Sequence, residues 1–331
     1  MPRPRRETIF VRGRYKGYET GGVSKGLTSE QANEMEKRFQ MNMAKLSGVF
    51  PEQKNTLVRV TEGAKMLFIV KLGGSVITEK KAGKFQVRAG KLRAIAKAIA
   101  AARKAQKFEL IIVHGAGPFG HKMVADYGIA DGVRTERQIE GFVATHDSME
   151  TLDKEVIGAL LAEKIPAITV QPSVCIIQSN KKILNFDITF VKDLLKLGCV
   201  PVLYGDMVID KSLGASVVSG DAIIAHLARE LNADKVLLGS DVEGVFDSDP
   251  RKNKNAKLIP EISNANINSI LASSASGSGA TDVTQGMKGK LLELRENVRG
   301  KECFIFSLEK EKNLEDLLAG KKIKCTRVFF A

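Results

Sequence analysis

Nowhere do apolar residues run uninterrupted for the roughly 18 positions a membrane-crossing helix needs, and the strongest runs, 66–70 and 110–113, are far shorter, so no membrane span is expected. Cysteine is scarce. The four present, Cys175, Cys199, Cys303 and Cys325, form no Cys-x-x-Cys pair and meet no run of histidines. That excludes a disulfide framework or structural zinc and fits a reducing cytoplasm. No apolar segment of about 7–15 residues follows the basic opening Met1-Pro2-Arg3-Pro4-Arg5-Arg6, so a secretory leader is not expected. Gly-x-x-x-x-Gly-Lys-[Ser/Thr] is missing, as are His-Arg-Asp and Asp-Phe-Gly, which removes the P-loop and protein kinase folds.

What is present reads as globular: 331 residues, 44% of them hydrophobic, suffice for a large α/β domain with a real core. The net charge is +13, and residues 1–65 hold 13 basic against 7 acidic side chains, so +6 of it lies in the first fifth. Those residues show little β or helical period apart from a short helix around 29–46. They are expected to be a basic, poorly ordered extension ahead of a catalytic domain spanning 66–331. Such an arm could bind RNA or another anionic surface, but charge runs of this kind are more often solvated.

From Met66 the pattern alternates between strand and helix, which predicts a mostly parallel sheet covered by helices on both faces. Expected strands are 66–71, 110–114, 167–170, 174–178, 183–185, 200–204, 235–239 and 302–306. Expected helices are 88–106, a long segment through 139–160 that is one helix or a pair, 188–197, 221–231, 286–298 and a short closing helix before Lys321.

Five strand-to-loop junctions carry chemistry. The first strand runs into Lys71-Leu72-Gly73-Gly74-Ser75, with Lys80 beyond it. Glycines after a buried strand let backbone N–H groups approach an anion, and lysine adds charge for phosphate oxygens. The second ends in His114-Gly115-Ala116-Gly117-Pro118-Phe119-Gly120-His121. Gly115, Gly117 and Gly120 satisfy Gly-x-Gly-x-x-Gly, but no strand ending in an acidic residue follows about 20 positions on, so a nicotinamide site fails. What survives is a glycine loop opening a helix near Phe119, suited to a phosphate, with His121 as a directed donor or as a simple capping histidine. Gly205-Asp206 and Ser219-Gly220-Asp221 come third; Asp221 alone reads as an N-cap, but among lysines it could hold cations in line. Asp241-Val242-Glu243-Gly244-Val245-Phe246, then Asp249-Pro250, come fourth. Gly279-Ala280-Thr281-Asp282-Val283-Thr284-Gln285-Gly286-Met287-Lys288-Gly289-Lys290 comes fifth and delivers lysines to a helix start, where they oppose the dipole unless an anion sits there. Ligands in open α/β sheets bind beyond the carboxyl ends of strands. Phosphoryl transfer, which needs positioning and charge rather than a covalent nucleophile, is the chemistry these junctions suit.

These motifs, with Gln171-Pro172-Ser173, resemble the amino acid kinase superfamily, specifically the archaeal-type isopentenyl phosphate kinases, over about 66–328. The resemblance implies a three-layer αβα sandwich with a mostly parallel central sheet. It also implies ATP-dependent phosphorylation of isopentenyl phosphate to isopentenyl diphosphate on an alternative mevalonate route, with Mg2+ carried by the nucleotide and a homodimeric, cytoplasmic enzyme. By the same resemblance the catalytic residues are Lys71, Lys80, His121, Asp221 and Lys290. Gly74, Ala116, Gly120, His121, Gly205 and Asp206 serve the acceptor. Lys71, Gly73, Ser75, Gly117, Asp241, Gly244, Gly286, Lys288 and Lys290 serve the nucleotide, and no protein metal ligand is implied. Phe142, Val143 and Met149 are candidates for an apolar slot for the prenyl tail. Pro118 stands where relatives carry Ser or Ala and Gln285 where they carry glycine; Pro118 removes a backbone donor. The ending Lys324-Cys325-Thr326-Arg327-Val328 resembles fosfomycin kinases of the same superfamily, so a phosphonate acceptor is the alternative. A nucleotide-sensing or RNA-binding protein working through residues 1–65 is the alternative of another class.

Overall fold

The computed structural model describes residues 8–15, 18–25, 66–79, 85–248, 250, 252–273 and 285–331, with Glu34, Lys37, Arg38 and Met41. The chain divides into two compact units, Met1–Lys54 and Asn55–Ala331. In the first, β1 (Thr8–Tyr15) and β2 (Tyr18–Lys25) pair antiparallel from Thr8↔Lys25 to Tyr15↔Tyr18. The sequence there shows little β period, and these two strands were not anticipated from it. A two-stranded ribbon pairs through its backbone and needs no apolar alternation to form. Glu34, Lys37, Arg38 and Met41 are helical; the rest of the helix expected over 29–46 lies outside the described residues.

The second unit follows the strand and helix alternation. It opens with β3 (Leu67–Leu72), a single helical turn α1 (Gly74–Ile77), α2 (Ala89–Ala105) and β4 (Glu109–His114). Then come α3 (Pro118–Asp126), the 27-residue α4 (Glu136–Ala162), β5 (Ala167–Thr169), a turn α5 (Pro172–Cys175), β6 (Ile176–Ser179), β7 (Lys182–Phe186) and α6 (Thr189–Lys196). Next are β8 (Val200–Tyr204), β9 (Asp206–Asp210), β10 (Gly214–Val218), α7 (Gly220–Glu230), β11 (Lys235–Ser240), β12 (Glu261–Ile262) and α8 (Ile267–Ser273). The unit closes with α9 (Gln285–Asn297), β13 (Glu302–Ser307), α10 (Glu311–Leu318) and β14 (Thr326–Val328).

Among the described residues the main sheet has the order β12-β14-β13-β11-β3-β4-β8-β5, parallel throughout except where β13 meets β14. Successive side chains of β3 leave on opposite faces. Leu67 and Ile69 join one apolar layer with Ile223 and Leu227 of α7 and Leu291 of α9. Phe68, Val70 and Leu72 join the other with Ile95 of α2, Leu152 of α4 and Leu314 of α10. That is the expected three-layer sandwich. The long segment through 139–160 is one helix, started by a reciprocal cap in which Thr135 accepts from the Gln138 N–H and Gln138 accepts from the Thr135 N–H.

A smaller sheet, β10-β9-β6-β7, stands apart from the main one. Its strands β9 and β10, and the elements β12, α8 and β14, were not anticipated. The hairpin connecting β9 to β10 is organised by Asp210, whose carboxylate accepts from the N–H groups of Asn180, Lys181, Ser212 and Leu213 and from Ser216 Oγ. These contacts hold its carboxyl at about 2 although it is buried.

The register aligns the carboxyl ends of the central strands. Leu72 pairs with His114 and with Gly239, and His114 pairs with Tyr204. The loops that follow must therefore emerge along one edge.

Candidate active site

Two of those loops touch backbone to backbone. A Cβ added to Gly74 would lie 2.3 Å from the Gly117 nitrogen, and one added to Gly115 would lie 2.8 Å from the Gly74 nitrogen. Gly117 also sits at φ +53°, with no room for a Cβ beside Thr78 Oγ1. Only glycine satisfies both demands. Pro118 is the first residue of α3, where the helix leaves its N–H without an intrahelical partner in any case, so the loss it causes is confined to one donor. Among the described residues, the Ala116 and Gly117 N–H groups have no backbone acceptor, whereas Gly73 and Gly115 donate to the carbonyls of Gly239 and Leu72.

Over this floor lie two cavities. The larger, about 350 Å³, is bounded by Gly73, Ser75, Asp241, Gly244, Phe246 and Met287. The smaller, about 170 Å³, is bounded by Gly120, Val124, Thr145, Met149, Asp206 and Val217. Lys71, Gly115, Ala116, His121 and Asp221 belong to the walls of both.

Charge is concentrated on that shared wall. Ser219, not Asp221, caps α7, its hydroxyl accepting from the Ala222 N–H, so the N-cap reading of Asp221 is corrected. Freed of that duty, Asp221 bridges two lysines: Oδ2 to Lys71 Nζ at 2.6 Å and Oδ1 to Lys290 Nζ at 2.6 Å. Burial alone would raise its carboxyl, but the two ammoniums outweigh that and hold it below the carboxylate range. Burial pulls the Lys71 ammonium down to about 8 despite Asp221, with Lys290 adding to the fall. His121 is lowered first by burial and then by Lys71, which favours the neutral ring.

The sequence-predicted residues therefore converge, with exceptions. Lys71, Ala116, His121 and Asp221 meet at the shared wall, Gly120 lines the smaller cavity, and Gly73, Ser75, Gly117, Asp241, Gly244 and Lys290 line the larger one, as does Gly74, which the resemblance had assigned to the acceptor. Gly205 and Asp206 line the smaller side, where the Gly205 N–H is spent on the His114 carbonyl. The Asp206 carboxylate accepts from His146 and from the Met207 N–H. Lys288 lines neither cavity although it shares α9 with Lys290. Helical rotation turns a side chain two positions away about 160° to another face. Lys80, Asp249, residues 274–284 and the side of Gly286 lie outside the described residues. Of the prenyl-slot candidates only Met149 reaches the cavity. Val143 is 58% exposed, and Phe142 packs with Ile129, Met207 and Ala215. Missed by sequence reasoning were Val217 and Val218 of β10. The turn Ser212-Leu213-Gly214 between two short apolar runs was the hairpin signal that could have found them.

Residues 66–307 match the family model described as the amino acid kinase family. The chain is 37% identical over 269 residues to an isopentenyl phosphate kinase of Methanothermobacter thermautotrophicus, covering 79% of this chain and 98% of that one. To one of Methanocaldococcus jannaschii it is 36% identical over 274 residues, 80% and 100% of the two chains. A solved structure described as X-ray structures of isopentenyl phosphate kinase superposes with a TM-score of 0.69 at 36% identity, over 79% of this chain and 99% of that one. The T. acidophilum isopentenyl phosphate kinase product complex superposes with a TM-score of 0.64 at 27% identity, over 80% and 100%.

Proposed function

The chain belongs to the amino acid kinase family, on its isopentenyl phosphate kinase branch, and from that membership and the geometry above we propose that it moves the terminal phosphoryl group of ATP onto isopentenyl phosphate, giving isopentenyl diphosphate. Neither the phosphonate alternative nor the nucleic-acid alternative is favoured: the relatives named above are isopentenyl phosphate kinases, and the family model spans residues 66–307.

The observation that carries the mechanism is the shared wall. A nucleotide in the larger cavity and a monophosphate in the smaller one would meet at Lys71, Ala116 and His121. Two anions brought that close repel, and the repulsion is costly unless cations are already in place. Lys71 on the shared wall and Lys290 on the larger cavity supply them, and Asp221 holds both ammoniums. The free Ala116 and Gly117 N–H groups supply donors to the acceptor and nucleotide phosphates respectively. His121 donates to the acceptor phosphate, whose charge favours protonation of a ring that burial had lowered. In this reading Lys80 adds charge for the transferring phosphoryl and Gly286 serves the nucleotide, while Lys288, which lines neither cavity, has no part.

Among the described residues no three His, Cys, Asp or Glu side chains converge to hold a metal, and both Asp221 oxygens are taken by lysines. The described residues do not fit a protein-held Mg2+; the ion would come on the nucleotide phosphates. The prenyl tail fits against Val124, Met149 and Val217. The four free cysteines suit a reducing cytoplasm, and no helix among the described residues is long and apolar enough to cross a membrane. A homodimer and a place on an alternative mevalonate route complete the reading, as does a solvated role for residues 1–65. An ADP-release assay on isopentenyl phosphate and fosfomycin side by side tests it. Turnover on isopentenyl phosphate is expected, and turnover on the phosphonate alone would overturn it.

A further inference from the structure

Asp206 is an odd wall for a cavity that takes a phosphate. The residue lines the smaller cavity while its side chain is fully buried, and an anion set just behind that wall would repel the acceptor unless it were compensated. Burial raises its carboxyl and the His146 contact opposes that rise.

The oxygens are occupied from behind. The Met207 N–H donates to Oδ1 at 2.8 Å, the Ser173 N–H also donates, and His146 Nδ1 stands 3.0 Å from Oδ1 and 3.1 Å from Oδ2. On the far side of the ring, Gln171 Nε2 lies 2.7 Å from His146 Nε2 and 3.0 Å from Glu150 Oε1. An amide nitrogen has two protons to give. With one on Glu150 and the other on His146, Nε2 of the ring accepts, and Nδ1 carries the proton that Asp206 receives. Gln171-Pro172-Ser173, a motif the catalytic scheme leaves unused, thus grips both ends of the contact.

His146 sits on α4 beside Thr145 and one turn before Met149, which form the opposite wall of the smaller cavity. We propose that His146, locked in one tautomer by Gln171, is a positioning residue that clasps α4 to Asp206, ties up that carboxylate with its Nδ1–H so that it turns no free lone pair toward the cavity, and so sets the affinity for the acceptor without touching either substrate. The clasp rests on the kinase reading only for the identity of the acceptor.

The amide nitrogen of asparagine superposes on Nδ1 of histidine, and that of glutamine on Nε2. His146→Ala is therefore expected to raise the KM for isopentenyl phosphate about tenfold, the effect of one lost hydrogen bond to a charged group, with kcat and the KM for ATP within about twofold. His146→Asn is expected to restore the acceptor KM, and His146→Gln is not. An unchanged acceptor KM in His146→Ala, or equal rescue by His146→Gln, overturns the proposal. A second measurement needs no turnover: the long-range 1H–15N spectrum of the 15N-histidine protein, assigned by the signal missing from His146→Asn. It is expected to show His146 protonated on Nδ1, and a ring protonated on Nε2 alone overturns the clasp. A wild-type protein inert toward isopentenyl phosphate but with the Nδ1 proton in place would reject the acceptor and leave the clasp standing.

Discussion

Asp221 holds Lys71 and Lys290 at the same distance, 2.6 Å, one on each carboxylate oxygen. One anion on the wall common to both cavities thus fixes two cations that would otherwise repel each other, Lys71 on that wall and Lys290 on the larger side.

Asp221→Asn should release both lysines. An amide of the same shape cannot balance two ammoniums, so kcat is expected to fall roughly 100-fold, the scale seen when one electrostatic contributor to a transition state is lost. The fold should weaken by about 2–4 kcal/mol, less than for a dry pair because 21% of the carboxylate side chain is exposed. Stopped-flow turnover and urea unfolding of the same variant check the two together.

The Lys71 ammonium at about 8 gives the reaction an alkaline limit. Below that pH the free enzyme carries the cation; above it the cation is lost, well before an exposed lysine at 10.5 would titrate. A plot of kcat/KM against pH, which reports the free enzyme, should bend downward near 8, and the limb in kcat should lie higher because bound phosphates favour the charged form. Lys71→Arg should abolish the bend, since guanidinium stays charged. Persistence of the same limb in that variant would assign it to another group.

His121→Ala should cost about 1.5–3 kcal/mol in transition-state binding, roughly 10- to 200-fold in kcat/KM for the acceptor. Because the free ring is lowered and the bound ring is protonated, acceptor binding should take up a proton near neutrality. Titration calorimetry in buffers of different ionisation enthalpy reads that uptake directly, and its loss in the variant identifies the ring.

Thr326→Val tests a support far along the chain. Thr326 Oγ1 accepts from the Val245 N–H at 2.8 Å and donates to the Ile259 carbonyl at 2.7 Å, fully buried. Gly244 leaves the space for it, since a Cβ there would collide with that oxygen. Valine keeps the volume and strands both backbone groups, a loss of about 1–3 kcal/mol in unfolding free energy. Gly244 and Val245 face the larger cavity, so the KM for ATP should rise while that for the acceptor holds.

The central strands and their loops were legible because buried parallel strands read as short apolar runs and because glycine, lysine and aspartate at their ends have few structural excuses in combination. β9 and β10 were not, since Asp210 rather than an apolar stripe organises their turn, and a carboxylate gathering five donors leaves no period in the sequence. The role of Ser219 was hidden by its neighbour: two capping-competent residues stand two apart, and only the backbone tells which is the cap. Gln171-Pro172-Ser173 marked a family without revealing a task, because its partner His146 lies 25 residues away on another element.

The backbone weld of Gly74 to Gly115 and Gly117 makes the floor a fixed ruler. In the proposed reading, nucleotide and acceptor phosphates would rest on it, spaced by close-packed backbone and not by side chains able to swing. Whatever breathing admits substrates and releases products must then hinge in the flanking walls, leaving the gap the phosphoryl group crosses unchanged from one turnover to the next.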